Sequence, residues 1–241
     1  LHHSTSPSPG FAMSHQSIQI DPLDSPHPVP WGWVLATLNA SSSSNLSGIY
    51  CYRSQSLISP SQEYAAYSRI QMQVESEYFR SHVTSVLFLE NLRTGDLQAI
   101  TPASPLADNP FLNTGADLEG RISIAIPVSW SESGDRLLAR EFESFFGSDI
   151  ASDYAVIVNQ SRNRVNTVAP TKIDYTNAVL LGWSQFQPGR VLFRAGMMGD
   201  ENWQQWTVDT TGQTMLAKGD RPVTYGQVSS SVWTGPQMQP Q

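Results

Sequence analysis

The chain of 241 residues is long enough for one domain with a substantial core, and 39% of its residues are apolar. Its net charge of −7 argues against a general nucleic-acid surface, which needs a basic footprint, and a single cysteine, Cys51, leaves no internal disulfide and no cysteine metal cluster. The sequence holds no apolar run long enough for a transmembrane helix.

Residues 1–30 are rich in Ser, Pro and His. Pro7, Pro9, Pro22, Pro26, Pro28 and Pro30 oppose both helix and ladder, so this stretch reads as a disordered or extended arm. It holds His2, His3, His15 and His27. A metal-binding arm would use them, but selective ligation needs a rigid cage, and the solvated tail is the better reading. Order is expected from Trp31. The stretch Trp31-Gly-Trp-Val-Leu-Ala-Thr-Leu38 reads as a strand, 39–47 as a Ser-rich loop, and Gly48-Ile-Tyr-Cys-Tyr52 as a second strand with Cys51 as a structural thiol. A single domain over 31–233 and a polar tail over 234–241 complete the predicted organisation.

Within that domain a pattern recurs. Pro127-Val-Ser-Trp-Ser-Glu-Ser-Gly-Asp-Arg-Leu-Leu-Ala-Arg140 reads as strand, tight turn, strand, with Gly134 free to take the left-handed turn conformation. Ile58 to Arg69 aligns with it, Ser59 on Ser131 and Ser61 on Ser133. Gly182 to Arg194 aligns too, Trp183-Ser184 on Trp130-Ser131. A second hairpin follows each copy, with Gly95, Asn163 and Gly212 at its turn. Between Ser68 and His82 the alternation of Ile70, Met72 and Val74 favours strand over helix. Residues 101–120 read as a long loop, with 142–153 and 196–202 as shorter insertions. Recurrence places Trp130 and Trp183 in the core, packed between units.

A four-stranded unit repeated three times is the pattern of a propeller blade. It resembles the TolB-type blade, whose motif is Trp-Ser-Pro-Asp-Gly, an apolar strand, then a hairpin ending near Leu-Thr. Ser59-Pro60, Ser133-Gly134-Asp135 and Ile100-Thr101 carry the resemblance, over residues 57–217. It implies an all-β fold: a small or incomplete β-propeller of about three to four TolB-like four-stranded blades. The spacing of the copies is irregular, and three copies are fewer than a closed propeller normally needs. Spare strands at the front and at Val223 to Trp233 are expected to meet and complete a fourth unit, giving a closed monomer; an edge-paired homodimer is the alternative. Scarce lysine (Lys172 and Lys218), abundant glutamine and degenerate repeats also look similar to cyanobacterial proteins, which implies a photosynthetic or envelope assembly as partner.

Chemistry is thinly represented. His82 is the only histidine in the expected domain, and no nucleophile elbow, phosphate loop or dinucleotide fingerprint occurs. Three loop carboxylate pairs, Asp117 with Glu119, Asp149 with Asp153, and Asp200 with Glu201, could serve glycoside hydrolysis if they converged, though solvated loop acids are the plainer reading. Catalytic residues, metal and cofactor are therefore not expected. The sequence points to a non-enzymatic protein–protein interaction or scaffold module. A carboxylate glycosidase and a carbohydrate-binding module with exposed tryptophans are the alternatives. The candidate partner-binding residues are Phe145, Phe146, Met197, Met198, Trp203 and Trp206, apolar groups in or beside polar loops.

Overall fold

A computed structural model describes residues 21–44, 47–100 and 119–238. Among the described residues, one α-helix, α1 (Trp31–Ser44), precedes sixteen strands, with a short 3-10 helix at Tyr78–Arg80 between the third and fourth: β1 (Gly48–Arg53), β2 (Ser56–Ile58), β3 (Tyr64–Val74), β4 (His82–Asn91), β5 (Leu97–Ile100), β6 (Arg121–Trp130), β7 (Arg136–Phe145), β8 (Ala151–Asn159), β9 (Arg164–Val168), β10 (Asn177–Ser184), β11 (Val191–Gly196), β12 (Gln204–Val208), β13 (Thr214–Leu216), β14 (Pro222–Val223), β15 (Gln227–Ser229) and β16 (Gly235–Pro236).

The repeated hairpins are present, and their turns explain the recurring serine. In β2–β3 the Tyr64 N–H donates to Ser59 Oγ at 3.1 Å, and in β6–β7 the Arg136 N–H donates to Ser131 Oγ at 3.0 Å. In β10–β11 the Gln187 N–H donates to Ser184 Oγ at 3.0 Å. Each serine also pairs backbone to backbone across its turn, Ser59 N to Tyr64 O, Ser131 N to Arg136 O and Ser184 N to Arg190 O. The hydroxyl thus satisfies a turn N–H that the ladder leaves over. Pairs β4–β5, β8–β9 and β12–β13 form the second hairpins. Ile70, Met72 and Val74 are buried on β3, as their alternation predicts.

The propeller does not form. β4 runs parallel to β6 through Val83 and Ile122, so the first two units merge into one eleven-stranded sheet. Its main path is β15-β2-β3-β4-β6-β7-β8-β9. The third unit forms a separate five-stranded sheet, β13-β12-β11-β10-β14. Both sheets are open, so neither a closed ring nor a TolB-like blade arrangement exists; the repeat is one of hairpin chemistry, which is local, and does not fix how units join. The C-terminal strands do return to the front, β15 beside β2 and β16 beside β1, but they lengthen the edge of the large sheet and complete no fourth unit.

Two apolar clusters cover opposite faces of β6–β9. One joins Leu57, Leu87, Leu89 and Ile100 of the first unit to Trp130, Leu137 and Val156. The other joins Leu138, Ala155 and Ile157 to Leu180, Trp183 and Phe193 of the third. Both repeat tryptophans are buried and tie units together: the Trp130 indole donates to Leu57 O at 2.8 Å, and the Trp183 indole to Trp130 O at 3.0 Å.

Three further expectations change. The stretch from Trp31 is helix, and it extends to Ser44 through the expected loop. Trp31, Val34 and Leu38 pack inward at the i, i+3, i+7 spacing of one helical face, and Trp33 packs beside them against Tyr52. Pro30 sits where its missing N–H costs nothing, and its carbonyl accepts from Val34 N at 3.2 Å. Residues 21–30 are no free arm, since Asp21, Leu23, Ser25 and Val29 are buried; residues 1–20, with His2, His3 and His15, lie outside the described residues. Gly235 and Pro236 of the expected tail are ladder residues, while 239–241 lie outside the description.

Asp21 is held by a buried ion triad. Arg140 Nη1 donates to Asp21 Oδ2 at 2.5 Å and to His27 O at 2.9 Å, and Arg140 Nε donates to Asp153 Oδ1 at 2.7 Å. All three side chains of the triad are fully buried. Burial pushes the Asp153 carboxyl up to about 6, against the pull of Arg140. Burial would lower the Arg140 pKa, but Asp153 and Asp21 overcome it and raise the value above normal.

Candidate functional site

A cleft of about 580 Å³ opens between α1, the β7–β8 turn and the β11–β12 loop. Its apolar walls come from Trp31, Leu35 and Leu38 on one side, Phe145, Phe146 and Ile150 on another, and Met198 and Trp203 on the third. Leu35, Ile150 and Met198 are more than a third exposed, as is Tyr78 at the mouth. Asp24 and Asp149 add carboxylates to the lining, and no lysine or arginine is among the described residues there.

Local chemistry aims these side chains. The β7–β8 turn needs Gly147 at φ 79°, and Ser148 braces it by donating its N–H and its hydroxyl to Phe145 O. The Phe146 N–H donates to Gly120 O at 2.7 Å. In the β11–β12 loop the Met198 N–H donates to Thr176 Oγ1 at 2.7 Å, and the Trp203 indole donates to Met197 O at 3.1 Å. The Trp203 ring packs directly against Gly196: a Cβ there would stand 2.3 Å from the indole Cδ1. Gly196→Ala should therefore push the indole out of the cleft at a cost of about 1–3 kcal/mol, the usual range for overpacking. Tryptophan emission and melting temperature check this; a variant unchanged in both would show that the ring is not held by the glycine.

Of the six candidate partner-binding residues, Phe145, Phe146, Met198 and Trp203 meet in this cleft. Met197 is exposed beside it and supplies a carbonyl rather than a wall. Trp206 packs into the cluster between the second and third units, away from the cleft. The residues from 142 to 145 belong to β7, so the expected insertion reduces to a turn at 146–150. Trp31, Leu35, Leu38 and Ile150 were not foreseen; their helical spacing and the flanking Gly147-Ser148-Asp149 were the available signals.

The described carboxylates of these pairs do not converge. Asp153 is sealed in the ion triad, Asp149 is exposed at the cleft, and Glu119 pairs with Arg80 at 3.1 Å near the surface. Asp200 and Glu201 are exposed, and Asp117 lies outside the described residues. His82 begins β4, half-buried opposite Gln73. Among the described residues no group of three or more His, Cys, Asp or Glu could hold a metal ion. No ring pair among them joins two tryptophans; Trp31 packs on Phe142 and Trp33 on Tyr52. Cys51 is a free, half-buried thiol. Among the described residues no helix is long and apolar enough to cross a membrane.

A second carboxylate cluster lay unnoticed in the sequence, within a strand. Glu141 and Glu143 project from the same face of β7, and both accept from Ser123 Oγ, at 3.1 and 3.2 Å. Arg121 lies 3.6 Å from Glu143, and Tyr154 faces Glu141 across the ladder. Burial, then the neighbouring Glu143 charge, pushes the Glu141 carboxyl up to about 8.

The chain matches no protein-family model and no curated protein, so the TolB and cyanobacterial resemblances gain no support.

Proposed function

We propose that the protein is a non-enzymatic interaction module whose cleft receives an apolar segment of a protein partner. The observation that carries this reading is the cleft itself: aromatic and aliphatic walls, several of them exposed, presented on a sheet scaffold. Its carboxylates, Asp24 and Asp149, with no described cation beside them, select a partner whose apolar side chains are flanked by Lys or Arg. The net charge of −7 favours the same choice.

Paired baits test it. A partner captured from the native source by the wild-type chain should be lost with Ile150→Asp and with Met198→Asp, because each puts a charge against an apolar contact. Binding should weaken by about tenfold or more, as loss of an interface anchor does. Retention should also fall at higher salt. A partner held equally by both variants rules out the cleft as its seat. Turnover of a glycoside or ester that disappears with Asp149→Ala would replace the binding role with a catalytic one.

A further inference from the structure

We propose a second, chemically different site: a carboxylate-binding cleft built around Arg136, between the serine turns of the second and third units. The cleft holds about 500 Å³, within the range of small-ligand sites, and lies between the Ser131 and Ser184 turns. Arg136 stands at its wall with its guanidinium carbon 5.2 Å from the centre of the Trp183 ring. Trp183 is itself buried and fixed by its bond to Trp130 O, so the platform under the guanidinium is rigid. Gly189 leaves space beside Arg136: a Cβ there would come 3.6 Å from Nη2.

In a chain with 21 acidic residues against 14 basic ones, the Arg136 guanidinium joins none of the ion pairs or side-chain hydrogen bonds formed among the described residues. Several arginines have side chains outside these networks, Arg69, Arg164 and Arg194 among them, but only Arg136 combines free donors with a cleft wall and a tryptophan platform. Two acids nearby, Asp135 and Asp220, are held by other donors. Asp135 accepts from Ser133 Oγ at 2.6 Å and Ser131 Oγ at 2.8 Å; those two bonds, with a smaller pull from the Arg136 charge, hold its carboxyl below the usual range, but it makes no ion pair with Arg136. Asp220 accepts from the Ser184 hydroxyl and from the N–H groups of Gln185, Phe186 and Arg221. A half-buried guanidinium over an indole face, with its donors free, suits a planar two-oxygen acceptor.

The rest of the lining selects the class of acid. Pro188, Val223 and Tyr225 give apolar surface for an organic body. Glu132 also lines the cleft, and its charge disfavours a dianion such as phosphate more than a monoanion. The ligand class is a monocarboxylate with an apolar body, either a free acid or the C-terminus of a peptide. This site is independent of the cleft proposed for a protein partner.

Titration of the full chain with 3-phenylpropionate, its amide, an acetylated tripeptide ending in Leu with a free carboxylate, and inorganic phosphate decides it, read by amide chemical shifts. One or both carboxylates should saturate with Kd at or below about 10 mM, a weak but specific range for one charge-assisted contact and an apolar wall. The better of the two identifies the source. The amide and phosphate should bind at least about tenfold more weakly, the worth of a hydrogen-bonded charge. Arg136→Gln should remove binding. Arg136→Lys, which keeps the charge but not the fork, should weaken it several-fold, and its unchanged melt shows that the fold survives. Glu132→Gln should strengthen it, and Ile150→Asp should leave it unaltered. Equal binding by Arg136→Gln, equal binding of phosphate, or no carboxylate binding at all overturns the proposal.

Discussion

Replacing Asp21 by Ala should destabilise the protein by about 3–5 kcal/mol, because it leaves Arg140 sealed in the interior with half of its neutralising charge. The substitution removes more than an ion pair. Asp21 also accepts the N–H groups of Leu23 at 2.9 Å, Ser25 at 3.4 Å and Val29 at 3.2 Å, so the whole 21–30 segment is folded around its carboxylate. For a chain of this size the loss corresponds to a fall in melting temperature of roughly 6–20 °C. Trimming residues 1–30 should do at least as much, since it also strips Leu23 and Val29 from the core. A double-mutant cycle separates charge from packing: in an Arg140→Leu background, Asp21→Ala should cost far less than it does alone. A trimmed chain that melts cooperatively at the wild-type temperature would show that the segment is an appendage after all.

That lock explains why the sequence misled at its N-terminus. Proline content and low hydrophobicity argue for an arm, and both are local properties. The partner that orders the segment is 119 residues away, and an Arg in the middle of β7 gives no sign of which carboxylate it will meet. The hairpins were legible for the opposite reason. Each depends on a period-two strand and a serine turn contained within a dozen residues or so; Ser59 and Ser131 accept from the N–H five residues on, and Ser184 accepts from the N–H of Gln187 within its turn. How the units join was not legible. The merger of the first two rests on a parallel contact of Val83 with Ile122, on either side of the 101–120 stretch, and ladder pairing leaves no residue signature at a parallel bridge. Helix α1 was misread because Trp31, Trp33 and Leu35 alternate. Strand and helix periods overlap over so few residues, and only the continuation to Leu38 separates them. The candidate cleft was half legible. Apolar side chains in polar loops flagged Phe145, Phe146, Met198 and Trp203, but their convergence depends on the packing of one sheet against the other.

The stability of the protein should fall as pH rises from about 6.5 to 8, and Glu141→Gln should abolish most of that slope. Glu141 is buried on β7, and its carboxyl is raised to about 8 by burial first and by the Glu143 charge second. The groups facing it are Ser123 and Arg121 from β6, Glu143 from its own strand, and Tyr154 from β8. Arg121 offsets the acid pair only in part, and the Tyr154 hydroxyl, pushed up to about 12, stays protonated throughout. In the unfolded chain Glu141 has lost its proton by pH 6.5, whereas in the folded chain it keeps it until pH approaches 8. The folded state thus binds more protons, and stability drops by about 1.4 kcal/mol per pH unit in that window. Over the window this is about 2 kcal/mol, or roughly 4–8 °C in melting temperature. The window also isolates the residue. Asp153, raised to about 6, is mostly ionised above pH 6.5, and His27, lowered chiefly by burial, is neutral in the folded state. Gln keeps the shape and the acceptor for Ser123 Oγ without a titrating proton, so its melting temperature should be nearly flat from pH 6.5 to 8. Parallel curves for the two proteins would mean that Glu141 is already ionised in the fold, with Arg121 and Ser123 carrying its charge.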